Sequence, residues 1–275
     1  PITCIAGLAM RLGGRPCRLV ASEHSDFREM RSLTQSERFL LKHFGTWLYG
    51  CCDTVVAESN GVRESLEEVA RLPHERVTVI NNAVRPLKPE RMSNSDRLHL
   101  RPWLESEYSL IAIGALKPAK GFDNLLRALS HLRKRCDARL LILGEGPLRL
   151  NLERLATNLD VSESVYLPGF RSNPGAFLKH SDVFVLSSNW EGFGNVIVEA
   201  LAAQIPVVAT NCRSGPAEIL EGGRYGRLVP VGDPVALSQA IEEILSGKNC
   251  VLSAQERAQD FSPRRVARSY LEVLL

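Results

Sequence analysis

Aromatic residues are scarce in this sequence, at 6% of 275 residues against 44% hydrophobic overall. That disfavours an aromatic-cored β-sandwich and favours aliphatic strands covered by helices on both faces. No apolar run approaches the roughly 18 residues that a membrane-spanning helix needs. No block of like charge exceeds Arg133, Lys134 and Arg135, and the net charge is only +3, so nucleic acid is not called for as a partner. The seven cysteines include the vicinal pair Cys51 and Cys52 but no C-x-x-C spacing, which indicates neither a disulfide framework nor a zinc site and makes a reducing cytosol the default. There is no Asp-x-Asp and no His-x-x-x-His, which argues against a bound metal, and no G-x-S-x-G elbow for hydrolase chemistry. GEGPLR from Gly144 and GFGNVI from Gly192 both lack the third glycine of the dinucleotide fingerprint, so a nicotinamide-dependent dehydrogenase is disfavoured.

What is present is alternation. Strand-like apolar runs are predicted at 108–113, 139–143, 164–167, 182–187, 205–210 and 227–229. Between them lie helical periodicities. Phe122, Leu125, Leu126, Leu129 and Leu132 form one stripe; Leu237, Ala240, Ile241, Ile244 and Leu245 form another, opened by Asp233 and Pro234 as cap and first-turn proline. This pattern predicts an α/β fold with a parallel sheet, complete in the second part of the chain. In the first part, strands are predicted at 18–22, 54–57 and 76–80, with helices around 38–47 and 62–70. Three strands are few for an independent doubly wound sheet. The stretch 81–107 carries three prolines before Trp103 and little periodicity, and reads as linker. Residues 259–275 read as a terminal helix started by Pro263.

The most informative stretch is SSNWEGFGNVIVEALAAQIPVVAT, 187–210. A strand ends at Ser187, a loop carries Glu191, Gly192 and Gly194, and a helix begins near Asn195. Free N–H groups at a helix start attract anions, and glycines let a ligand approach the main chain, so a diphosphate fits there. Glu199 interrupts an apolar helical series and needs a partner. Either an arginine from a neighbouring helix supplies it, or a vicinal diol does, as ribose does for the acidic residue of dinucleotide-binding folds.

With its neighbours, this stretch resembles the signature of the family-4 glycosyltransferases, which have the GT-B fold and carry two glutamates eight residues apart. KGFDNLLRAL from Lys120, LLILGEGP from Leu140, VYLPGF from Val165, and SGPAEIL followed by GRLVPVGDP from Ser214 match in order. VVAESNGVRESL and RVTVINNAV match upstream. The resemblance implies two Rossmann-like parallel-sheet domains around a central cleft. It divides the chain into 1–95, a partial acceptor-side domain with linker from about 81; 96–258, a nucleotide-sugar donor domain; and 259–275, a helix packing back on the N-terminal domain. Two full domains of about 150 residues each exceed this length. Together with Pro1 as first residue and a mid-helix pattern over 2–10, this predicts that the N-terminal domain is incomplete and exposes a sheet edge.

The resemblance also implies roles. Glu191 sits by the donor sugar and Lys120 neutralises the diphosphate, whose departure needs positive charge. The main chain of Gly192, Phe193, Gly194 and Asn195, together with Gly114, contacts sugar and diphosphate. Glu199 holds the ribose, main chain near Phe170 and Arg171 meets the base, and His24 faces the donor sugar from across the cleft. One position departs from the pattern: Ala115 stands where the family often has an arginine after the glycine. The implied activity is retaining, metal-independent transfer of a hexose or N-acetylhexosamine from a nucleotide diphospho-sugar, a UDP-sugar by analogy. That donor is a co-substrate, and no cofactor is expected. The acceptor is a glycan or a lipid-linked molecule, and the setting is the cytoplasm or the inner face of the cytoplasmic membrane. The alternatives are a non-catalytic nucleotide-sugar-binding remnant and, ranked last, a UDP-sugar epimerase.

Overall fold

A computed structural model describes residues 18–29, 34–85, 87, 91–247 and 254–275. The helical pattern at 2–10 lies outside them. The front part runs β1 (Val20–Glu23), α1 (Gln35–Tyr49), β2 (Thr54–Ala57), α2 (Asn60–Val69) and β3 (Val77–Val79). The second part runs α3 (Asn94–His99), α4 (Arg101–Leu104), β4 (Tyr108–Ile113), α5 (Phe122–Leu132), β5 (Ala138–Leu143), α6 (Arg149–Asn158) and β6 (Val165–Gly169). It continues through α7 (Gly175–Leu178), β7 (Val183–Leu186), α8 (Asn195–Ala202), β8 (Val207–Thr210), α9 (Pro216–Ile219), β9 (Arg227–Val229), α10 (Pro234–Leu245), α11 (Ala254–Gln259) and α12 (Pro263–Leu274). Among the described residues no helix is long and apolar enough to cross a membrane.

The strands form two all-parallel sheets, one ordered β1-β2-β3 and the other β6-β5-β4-β7-β8-β9. The inner strands β7 and β8 are apolar and buried on both faces because both faces are covered. Side chains alternate along β4: Leu110 and Ala112 meet the Leu125, Leu126 and Leu129 stripe of α5 and Leu237 and Ile241 of α10, whereas Ile111 faces Ile197 and Leu201 of α8. The helix starts follow the sequence signals. Asp233 caps α10 by accepting from the N–H groups of Val235 and Ala236, at 3.1 and 2.9 Å. Thr34 and Glu37 form a capping box on α1.

The stretch 81–107 is more structured than its prolines suggest. It contains α3 and α4, and Leu100 and Trp103 are wholly buried in the core beneath β4 and β5. Helices this short carry no readable periodicity, and Trp103 is fixed by tertiary contact, its indole N–H donating to the Leu110 carbonyl at 3.0 Å. In the smaller sheet, Val55 and Ala57 pack under Leu41 and Tyr49 of α1 and Val62 and Leu66 of α2. The opposite face, Val20, Val56 and Ile80, is covered by Val266, Tyr270 and Val273 of α12. Replacing Trp103 by alanine empties a fully buried site and removes the donor to Leu110; a loss of about 3–5 kcal/mol is expected in urea unfolding.

Candidate functional site

The larger sheet changes direction at its centre. From β4 the chain winds outward through β5 to β6, then returns to β7 on the other side of β4 and winds outward again. Ligands of such sheets bind in the crevice beyond the carboxyl ends of the strands at that switch point. The loops after β4 and β7 flank it here, and hydrogen bonds lace them together. Ser187 Oγ donates to the Lys120 carbonyl at 2.8 Å, the Asn189 N–H to the Ala119 carbonyl at 2.8 Å, and Asn189 Nδ2 to the Pro118 carbonyl at 2.7 Å.

This lacing brings Lys120 and Glu191 together. The ammonium donates to Glu191 Oε1 at 2.6 Å, and Ser188 Oγ donates to the same oxygen at 2.5 Å. The lysine stem crosses Gly114: a Cβ at that position would stand 3.2 Å from Lys120 Cδ. Beyond Glu191, α8 starts from Gly194, whose φ of +101° favours glycine, and no side chain caps its N-terminus. The Phe193 ring turns away into the core and meets Phe261 edge-on at 5.4 Å, so at this position only main chain faces the crevice. Asn195 is exposed at the head of the helix.

Glu199, one turn further along α8, is half-buried, and burial pushes its carboxyl above the usual glutamate range. Among the described residues its side chain has neither a hydrogen bond nor an ion pair, so no described arginine supplies the partner that the sequence left open. Phe170 stands 73% exposed at the end of β6. Arg171 beside it is committed elsewhere: its guanidinium pairs with Asp96 at 2.7 Å and reaches the Pro168 carbonyl at 2.6 Å. That contact with Arg171 holds the Asp96 carboxyl below its ordinary range.

The smaller sheet directs its own carboxyl ends at this crevice. His24 follows β1, Glu58 follows β2, and Asn81 and Asn82 follow β3. His24, Ser25, Asp26 and Glu29 line one side of a cavity of about 220 Å³; Ala119, Trp190, Glu191 and Gly192 line the other. Lys120, Glu191, His24 and Gly192 thus converge, while Phe170 and Arg171 lie two strands away, directly after β6.

Several contacts hold the two sheets against each other, and sequence reading missed the residues that make them. Ser59 Oγ donates to the Gly192 carbonyl at 2.8 Å; Glu218 accepts from the Asn60 N–H and from Asn81 Nδ2, both at 2.8 Å; Ser214 Oγ donates to Asp26 Oδ2 at 3.0 Å. Glu58 is buried, and that burial raises its pKa despite hydrogen bonds from His24 and Asn82; the nearby Glu191 charge pushes the same way as burial. A signal was available, since Glu58 is a carboxylate placed directly after the apolar run Val55, Val56, Ala57 at the carboxyl end of a predicted strand. Cys212, also in this region, has its thiol pushed up to about 12 by burial, which leaves it a packing residue rather than a nucleophile.

Comparison with known proteins agrees with this architecture. The family model described as glycosyl transferases group 1 matches residues 101–263, and that described as glycosyltransferase family 4 matches 1–86. A Campylobacter jejuni N-acetylgalactosamine-N,N'-diacetylbacillosaminyl-diphospho-undecaprenol 4-alpha-N-acetylgalactosaminyltransferase is 28% identical over 272 residues, covering 98% of this chain and 72% of that protein. A lipopolysaccharide core biosynthesis glycosyltransferase of Rhizobium meliloti is 35% identical over 170 residues, 60% of this chain and 49% of that protein. An uncharacterised glycosyltransferase of Methanocaldococcus jannaschii is 32% identical over 176 residues, 63% of this chain and 43% of that protein. Two of these three matches thus span about half of the relative's length or less. Anabaena HepE, solved with UDP and glucose, superposes with a TM-score of 0.82 at 23% identity, covering 99% of this chain and 74% of that one, which shows a shared fold. The two facing parallel sheets are the GT-B arrangement, and the chain belongs to the family-4, or group 1, glycosyltransferases.

Proposed function

We propose that the chain binds a nucleotide diphospho-sugar, a UDP-sugar, at the carboxyl ends of β4 to β7, and transfers its hexose or N-acetylhexosamine with retention to a glycan or lipid-linked acceptor. The observation that carries this reading is Glu199, a half-buried carboxylate on the crevice helix that has no partner among the described residues. A ribose diol would give it two charge-assisted hydrogen bonds. The uncapped start of α8 lies one turn away and suits a diphosphate. Relatives support the substrate class by their names, one acting on a diphospho-undecaprenol-linked sugar and one serving lipopolysaccharide core synthesis.

In this reading Lys120 leaves part of its contact with Glu191 when the diphosphate arrives, and steadies the negative charge that develops as the glycosidic bond breaks. Glu191, held by Ser188, then faces the hydroxyls of the donor sugar. Ala115 supplies no cation where many family members have arginine, which leaves more of the charge stabilisation to Lys120 and the helix amides. The acceptor hydroxyl attacks from the face that the nucleotide leaves, and the departing phosphate takes its proton. The reaction rests on positioning and charge rather than on a covalent intermediate. No metal or other cofactor takes part.

Two measurements test this. Replacing Lys120 by alanine should leave the fold intact and slow transfer from a UDP-sugar by about 10²-fold or more; an unchanged rate would refute its role. Replacing Glu199 by alanine should weaken UDP binding at least about tenfold in calorimetry, for the loss of hydrogen bonds to a charged group. Because burial raises the Glu199 pKa, the side chain protonates at higher pH than a free glutamate and loses acceptor capacity as pH falls. The affinity advantage of the native chain over Glu199→Ala should therefore shrink as pH falls, beginning above the ordinary glutamate range. Titration of UDP itself cancels in that ratio.

A further inference from the structure

Glu58 takes no part in the mechanism above, yet it lies buried beside the crevice, between His24 and Gly192. Its side chain is 5% exposed, and both its hydrogen bonds fall on Oε2: from His24 Nδ1 at 3.1 Å and from Asn82 Nδ2 at 2.5 Å. Oε1 lies against Gly192, where a Cβ would come within 2.0 Å of it. Asn82 Nδ2 also donates to Asn195 Oδ1 at 3.1 Å, so the same group reaches the head of α8. The His24 side chain is 56% exposed and lines the cavity shared with Glu191. Its other nitrogen, Nε2, lies 3.0 Å from Ser22 Oγ, which lies 3.3 Å from Tyr270 Oη.

These contacts fix a polarity. An ionised carboxylate only accepts, so the His24 nitrogen facing Glu58 must carry the proton, and in the neutral ring Nε2 is then an acceptor. Ser22 O–H donates into Nε2, and Tyr270 O–H donates to Ser22. Every donor in the row Tyr270, Ser22, His24, Glu58 has one acceptor. The opposite tautomer, the usual preference of a free imidazole, would turn a lone pair toward the Glu58 carboxylate and leave two acceptors in contact.

We propose that Glu58 is a positioning residue that holds His24 as the Nδ1–H tautomer, so that Nε2 is presented to the cavity as an acceptor for a sugar hydroxyl in place of Ser22. The use of that nitrogen by a sugar rests on the function proposed above. The tautomer does not, and it can be read from the chain alone.

The test is ring ¹⁵N spectroscopy on histidine-labelled protein at about pH 8, where an imidazole is neutral, with the His24 signals identified by their loss in His24→Gln. The native chain should show a protonated Nδ1 and a pyridine-type Nε2. Glu58→Gln should keep that pattern, since its amide oxygen can take the position of Oε2 and its amide nitrogen that of Oε1. Glu58→Leu, which keeps bulk without an acceptor, should change to the Nε2–H form or to an average of the two. In transfer assays Glu58→Leu should lower kcat by about 10²-fold, the cost of a misplaced group in the site, with little change in donor KM, and Glu58→Gln should recover most of it. A native His24 protonated on Nε2, or the same pattern in native and Glu58→Leu proteins, overturns the proposal. If Glu58→Leu fails to fold, the native spectrum still decides. The predicted tautomers with no turnover by any form, native included, would count against the transferase reading and leave the role of Glu58 standing.

Discussion

Parallel strands cannot be joined by tight hairpins; each must be followed by a crossover that returns the chain to the starting edge of the sheet. Every strand in both sheets therefore ends on the same side, and the loops that carry chemistry are gathered there by topology before any side chain acts. What converts this gathering into a site is the lacing between the loops after β4 and β7. Main-chain carbonyls of Pro118, Ala119 and Lys120 accept from the Ser187 hydroxyl and from the side chain and N–H of Asn189. With those bonds in place Lys120 and Glu191 have no distance left to choose, and the start of α8 is fixed relative to both.

The electrostatics follow from that geometry. Two carboxylates of the crevice, Glu191 and Glu58, repel one another across Gly192, and each has its own remedy. Glu191 holds an ammonium and a serine hydroxyl; Glu58 holds an imidazole and an amide. Glu199, a third carboxylate on the helix whose start is uncapped, has neither among the described residues. A folded protein tolerates such a half-buried acid at the expense of stability.

Much of this was legible in the sequence, unevenly. The stripe on α5, the cap of α10 and the apolar strands β4, β7 and β8 follow from local rules, because each is long or regular enough for periodicity to show. Glu191, Gly192, Gly194 and Glu199 stood out because they break an apolar pattern at a strand-to-helix turn. Trp103 did not, since its burial is decided by β4, which it meets only in three dimensions. Composition would also bury Phe39, Phe44 and Trp47, yet they are exposed on α1, where Leu41, Gly45 and Tyr49 take the packing stripe and Gly45 lies against the Ala70 main chain. Glu58 and Asn82 are harder to read for a further reason: their contacts with each other and with His24 exist only once β1, β2 and β3 have paired.

The helix α12 gives the front sheet an unusual dependence. Its Val266, Tyr270 and Val273 complete one face of β1 to β3, Tyr270 bonds to Ser22 across 248 positions, and the Val273 carbonyl accepts from Arg18 across 255. During synthesis the sheet that is made first cannot cover that face until residues 263–274 have left the ribosome, after the larger sheet has its own helices at hand. The order of translation and the order of completion are therefore reversed in the front half. Its apolar surface must wait through the making of the rest, in the interval when unpaired edges and uncovered faces are most exposed to misassembly.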